Sequence, residues 1–211
     1  MDYKILELLL GRQLVLPIFR GSREEVLQAL NFMKPLKLEA IELTTTINGW
    51  QSLLRELAPH YVVGVGTVTT EHQIKKAREN GASFLVSFGS FPKFIQSSRK
   101  IPVIPGALTP SEFLALDRLD IPMAKLYPAS SMGTKYLKDL TVVLPNMKFI
   151  ATGGITIDHE SLSTWLDSGA LAVGMGNALG NPITNPDSFS LQVEILRLAL
   201  ERLSHISERH S

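Results

Sequence analysis

Eight short apolar runs, each followed by a longer amphipathic stretch, restrict the fold of this chain more than any other feature. The runs are Leu14 to Arg20, Leu38 to Thr44, Tyr61 to Thr67, Ser83 to Ser87, Pro102 to Gly106, Pro122 to Tyr127, Lys148 to Thr152 and Leu171 to Gly174. They are rich in Val, Ile and Leu and lack polar alternation, which is the pattern of strands covered on both faces.

The intervening segments carry helix-start chemistry. Ser22-Arg23-Glu24-Glu25, Thr70-Glu71-His72-Gln73 and Thr109-Pro110-Ser111-Glu112 each match a capping box, in which a hydroxyl accepts from the third helical N–H while Glu or Gln reaches back. Pro110 falls at the first helical position, where a missing N–H costs nothing. Gly81 and Gly169 follow helical patterns and suit their ends. The units recur every ~19 to 26 residues, close to the shortest workable βα unit. With a leading helix over Leu6 to Gly11 and a final one over Phe189 to Ile206, they predict an α/β fold, a (β/α)₈ barrel filling residues 1–211 as one domain. An open doubly wound sheet is the competitor, but no Gly-x-Gly-x-x-Gly opens the first helix.

The chain has no cysteine, which excludes disulfides, thiol catalysis and cysteine-ligated zinc, and suits a reducing, cytoplasmic setting. A net charge of +1 gives no reason to expect nucleic acid or an anionic membrane as partner, so any anion must be caught by a local site. The apolar run Ile5 to Leu10 is far shorter than the ~20 residues that span a bilayer, and no signal cleavage site follows it. His60, His72, His159, His205 and His210 fall on expected helices, helix ends or the tail, without zinc-type spacing, and read as surface residues. Trp50 and Trp165 read as packing between helix and barrel.

In such a barrel the active site lies at the C-terminal strand ends. Those ends carry Arg20, Glu42 with Thr44, Thr67, Ser87, Pro105-Gly106, Lys125, Thr152-Gly153-Gly154 and Gly174 to Asn177. Lys125 stands in an otherwise apolar strand. A lysine there either snorkels outward along its stem or points inward, where desolvation lowers its pKa and frees an amine able to attack a carbonyl. Glu42 is a carboxylate in an apolar strand, either balancing Lys125 or Arg20 or acting as the proton carrier of Schiff-base chemistry. Thr152-Gly153-Gly154 and Gly174-Met175-Gly176-Asn177 follow the last two runs, where glycine turns commonly bring N–H groups to a phosphate at a helix N-terminus. Thr67, after Gly64-Val65-Gly66, offers a hydroxyl.

Together these segments resemble the 2-keto-3-deoxy-6-phosphogluconate / 4-hydroxy-2-oxoglutarate aldolases, including the branch acting on the 6-phosphogalactonate epimer. The resemblance runs from about Leu14 to Leu179 and rests on Pro17-Ile18-Phe19-Arg20-Gly21, Ile41-Glu42-Leu43-Thr44, Val65-Gly66-Thr67-Val68, Ile104-Pro105-Gly106, Lys125-Leu126-Tyr127-Pro128-Ala129 with Gly133, Thr152-Gly153-Gly154 and Gly174 to Leu179. It implies Lys125 as Schiff-base lysine, Glu42 as general acid/base, and Thr67 and Thr152 near the pyruvyl end. It further implies Gly153, Gly154, Gly176 and Asn177 at the phosphate, with Arg20 on a carboxylate or phosphate. The implied substrate is a small 2-keto acid, the product a phosphorylated aldehyde beside pyruvate. No metal or organic cofactor is implied, and a homotrimer is. Four positions depart from the family pattern: Thr46 where an arginine is common, Phe88 for proline, Tyr127 for phenylalanine and Asn177 for serine. Another phosphate-binding barrel enzyme, an isomerase or a thiamin-phosphate-synthase-like transferase, and a non-catalytic sugar-phosphate-binding relative are the alternatives.

Overall fold

The computed structural model describes residues 1–207. The chain runs α1 (Tyr3–Gln13), β1 (Val15–Phe19), α2 (Arg23–Phe32), β2 (Ala40–Thr44), α3 (Trp50–Leu57), β3 (Val62–Gly66), α4 (Glu71–Glu79), β4 (Phe84–Val86) and α5 (Pro92–Gln96). It continues through β5 (Val103–Ile104), β6 (Gly106–Ala107), α6 (Pro110–Asp117), β7 (Met123–Leu126), α7 (Ala129–Met132), α8 (Thr134–Val143), β8 (Lys148–Thr152), α9 (His159–Asp167), β9 (Ala170–Met175) and α10 (Pro186–Ser207). All three capping boxes form, at the starts of α2, α4 and α6, and Pro110 opens α6 as expected.

The strands make one parallel sheet in the order β5-β4-β3-β2-β1-β9-β8-β7-β6. The fifth apolar run is not the single strand expected of it. Pro105 has no N–H to give to a ladder, and the run splits there. Val103 and Ile104 pair with Leu85 and Val86 of β4, while Gly106 and Ala107 pair with Lys125 and Leu126 of β7. The two ends of the sheet therefore lie on either side of one proline, and the barrel closes through that segment.

Alternate residues of a strand share a face, and burial sorts the two faces. Leu16, Ala40, Phe84, Val86, Ile104, Met123, Ile150 and Ala172 form the lower barrel interior. Their neighbours Ile41, Leu43, Val63, Val65, Ala124, Leu126 and Ala151 pack outward against the helices, where Trp50 and Trp165 are also buried. The interior is floored by α1. It is longer than the expected Leu6 to Gly11 at both ends: the Asp2 side chain accepts from the Ile5 N–H at the start, and Leu14, in a left-handed conformation, gives its N–H to the Leu10 carbonyl at the end. The Asp2 cap is worth ~1 kcal/mol, whereas burying Leu6, Leu9 and Leu10 contributes ~1.5–3 kcal/mol each; packing, not capping, holds α1 in place. The last helix likewise begins at Pro186, three residues before the expected Phe189. Among the described residues, no helix is long and apolar enough to cross a membrane.

Candidate active site

The face that carries Ala40, Met123 and Ile150 in the barrel floor carries Glu42, Lys125 and Thr152 one step nearer the C-terminal mouth. All three are buried: Glu42 is 1% exposed, Lys125 4% and Thr152 3%. The lysine thus points inward and does not snorkel outward. Burial is the chief force lowering the Lys125 pKa from its ordinary 10.5, the Arg20 charge lowers it further, and Glu42 pulls the other way. The Lys125 ammonium nitrogen lies 5.6 Å from the centre of the Tyr127 ring.

Among the buried side-chain atoms of the described residues, Glu42 Oε1, Glu42 Oε2 and Thr152 Oγ1 lack a hydrogen-bond partner. Buried polar atoms are rarely left so. The simple reading in which Glu42 is a structural counter-ion is therefore incomplete: it feels the Lys125 charge but accepts no hydrogen bond from it. Glycines make the room for both orphaned groups. A Cβ on Gly66 would overlap the Glu42 carboxylate, and one on Gly174 would overlap the Thr152 hydroxyl.

Above this layer opens a cavity of ≈ 750 Å³, lined by Arg20, Tyr127, Thr152, Gly153, Gly154, Gly174, Gly176 and Asn177, and also by Asp158 and Gln192. Six of the nine expected site residues, Arg20, Thr152, Gly153, Gly154, Gly176 and Asn177, thus meet on one wall. Lys125 and Glu42 lie below it. Thr67 stands apart, beyond Gly66 on the β3 side of the mouth. Its φ of 57° is an uncommon conformation for a β-branched residue. The Thr45 hydroxyl donates to the Thr67 carbonyl at 2.9 Å and helps to hold that turn. Arg20 is exposed, lies directly over Gly176, and has no carboxylate partner among the described residues.

The two glycine loops lead into helix starts of different kinds. Asp158 caps α9 itself, accepting from the Ser161 N–H at 2.9 Å and from the Thr156 hydroxyl at 2.6 Å. These bonds, the Thr156 one first, hold its carboxyl below the usual range. The other glycine loop leads only into a three-residue 3₁₀ turn, Asn177–Leu179. Gly153, Gly154, Gly176 and Asn177 of the loops themselves line the cavity. Gly153 and Gly154, at φ 102° and 72°, adopt a backbone that side chains disfavour.

Residues 7–188 match the family described as KDPG and KHG aldolase. The chain belongs to that family. Among curated relatives, the chain is 28% identical to the 2-dehydro-3-deoxy-phosphogluconate aldolase of Pseudomonas aeruginosa, over 90% of this chain and 89% of the relative. It is 25% identical to the 2-dehydro-3-deoxy-6-phosphogalactonate aldolase of Escherichia coli K12, over 78% and 83%. A solved KDPG aldolase from Legionella pneumophila, with pyruvate captured as a covalent carbinolamine intermediate, superposes with a TM-score of 0.80 at 25% identity, covering 92% of this chain and 97% of that one.

This KDPG/KHG aldolase is an aldehyde-forming lyase of the Schiff-base class, and the family match sets aside the transferase and isomerase alternatives. Two of its departures can be placed in the structure. The Thr46 hydroxyl pairs with that of Thr44 at 2.6 Å, and Thr44 in turn donates to the Phe19 carbonyl at 3.0 Å, so the segment after β2 is tied to β1. Phe88 is 53% exposed, and its backbone occupies the space a side chain on Gly106 would need. The sequence reading missed Gln192 and Asp158 as cavity lining. Asp158-His159-Glu160-Ser161 does carry an N-cap signal, but the arrival of Gln192 from α10 has none. Among the described residues, no cluster of three or more His, Cys, Asp or Glu could hold a metal ion. His60 and His72 are exposed and His159 is half-buried, whereas His210 lies outside the described residues.

Proposed function

We propose that Lys125 forms the Schiff base of this aldolase and that Glu42 carries its protons. The observation that supports this reading best is the pairing, on one inward face, of a buried amine with lowered pKa and a buried carboxylate with no hydrogen-bond partner. Desolvation favours the neutral amine, and only that form attacks a ketone.

The Lys125 nitrogen adds to C2 of a 2-keto-4-hydroxy acid, and the carbinolamine loses water to give an iminium. The C4 hydroxyl then yields its proton to Glu42 while the C3–C4 bonding electrons move into the iminium. An aldehyde leaves and an enamine remains. Protonation at C3 and hydrolysis release pyruvate and regenerate the amine. For a 2-keto-3-deoxy-6-phospho-sugar acid the aldehyde is glyceraldehyde 3-phosphate. Its phosphate rests on Arg20 and the loop N–H groups of Gly153, Gly154, Gly176 and Asn177. Thr67 and Thr152 face the pyruvyl end.

Borohydride with pyruvate should fix a covalent adduct on Lys125; labelling that persists in Lys125→Met would overturn the assignment. Pyruvate release measured on the gluconate and galactonate epimers, and on 4-hydroxy-2-oxoglutarate, ranks the substrates. The homotrimer implied by the resemblance is part of the same proposal. Sedimentation equilibrium giving three chain masses supports it, and one chain mass refutes it.

A further inference from the structure

Tyr127 borders both halves of this site. The Lys125 nitrogen stands over its ring, 5.6 Å from the centre, and the Cδ2–Cε2 edge of the ring lies against Gly153, 3.2 Å from where a Cβ there would sit. Pro128 and Ser130, which follow it, pack on the same glycine loop: the Ser130 N–H donates to the Gly153 carbonyl at 3.0 Å. The ring is therefore held between the amine and the anion loop. It lines the cavity, is 38% exposed, and its hydroxyl has no hydrogen-bond partner among the described residues.

A phosphorylated six-carbon substrate joined at C2 to Lys125, with its phosphate on the glycine loops, must pass its middle carbons along this ring. This placement rests on the function proposed above. C3 bears no oxygen. The C4 oxygen is the reacting one, whose proton goes to Glu42. The C5 hydroxyl is the remaining polar group on that stretch, and it lies on the phosphate side, where the ring meets Gly153. We infer that Tyr127 is a specificity-determining residue whose hydroxyl hydrogen-bonds the C5 hydroxyl of the substrate, which is the C2 hydroxyl of the three-carbon aldehyde half. A phenylalanine would supply the same wall and the same ring face to the lysine, but would read no hydroxyl.

The test runs the reaction in the condensing direction with pyruvate and two aldehydes, glyceraldehyde 3-phosphate and 3-oxopropyl phosphate, which lacks the C2 hydroxyl. Tyr127→Phe should lower kcat/KM for glyceraldehyde 3-phosphate about tenfold, the order of one lost hydrogen bond. It should leave 3-oxopropyl phosphate within about twofold. Equal losses on both aldehydes, or no loss on either, overturn the inference. Borohydride trapping with pyruvate alone separates the two claims. A wild-type protein that is not trapped removes the Schiff-base reading and this inference with it. A protein trapped equally well as wild type and as Tyr127→Phe, but with unchanged aldehyde preference, removes only the role of Tyr127. Tyr127→Leu serves as a second variant: it removes the hydroxyl as well, so it must lose the same preference between the two aldehydes.

Discussion

The carboxylate of Glu42 occupies the space in which a side chain on Gly66 would stand. The two residues lie on adjacent parallel strands, with Glu42 paired to Gly64 and Thr44 to Gly66. The glycine of β3 is thus a condition for a carboxylate in the barrel interior, not a turn residue. Gly66→Ala should displace the carboxylate, lowering kcat about 100-fold through misplacement of the proton carrier and stability by ~1–3 kcal/mol through overpacking. Steady-state kinetics and a denaturant melt on the same variant read both. Full activity would mean that the position of Glu42 is unimportant to the reaction.

The signs of the charges around Lys125 fix how its reactivity responds to pH. The pyruvate-trapping rate of the wild-type protein should reach half its maximum below pH 10.5, the ordinary lysine value, because burial lowers the amine's pKa. Arg20 lowers it further and Glu42 raises it. Arg20→Met should therefore move the midpoint to higher pH and Glu42→Gln to lower pH. Shifts in the same direction for both variants contradict the electrostatic account.

Folding must also accommodate the buried amine. A lysine whose folded-state pKa lies below its unfolded value costs stability wherever the unfolded chain keeps the proton. That cost is present below the lowered folded pKa, shrinks as pH rises toward 10.5, and vanishes above it. Lys125→Met, inactive by the mechanism above, should melt higher than wild type at pH 7, by ~2–4 °C for each kcal/mol recovered. The gain should diminish as the pH approaches 10.5. Calorimetry at pH 7 and near pH 10 measures it, and a lower melting temperature at pH 7 would contradict the assigned burial cost.

Gly176 supports Arg20 in the way that Gly66 admits Glu42: a Cβ there would overlap the guanidinium nitrogen Nη1. Gly176→Ala should push Arg20 away from the cavity. KM for a phosphorylated substrate should rise about tenfold with kcat changed less than threefold, the signature of lost binding common to ground and transition states. Trapping with pyruvate, which has no phosphate, should be unaffected. A loss of trapping in this variant would place Arg20 at the pyruvyl end instead.

Much of this molecule is written in short-range features of the sequence. Strand runs, the three capping boxes and the glycines after α4 and α9 depend on contacts within a few residues, and apart from the run divided at Pro105 each appears where the pattern puts it. The inward direction of Lys125 was open in the sequence, since alternation allows either face. It was settled when Met123, two residues earlier, packed into the barrel floor beside α1. Closure decided the rest. Pro105 divides its strand between two partners, Gly66 and Gly174 clear space for side chains on neighbouring strands, and Asp158 caps the N-terminus of α9. Periodicity and capping are local, so the sequence alone sets which segments become strands and helices and which strand ends carry reactive groups. Bringing Glu42 of β2 within electrostatic reach of Lys125 of β7 requires the whole sheet to curl and close, and no local pattern encodes that distance.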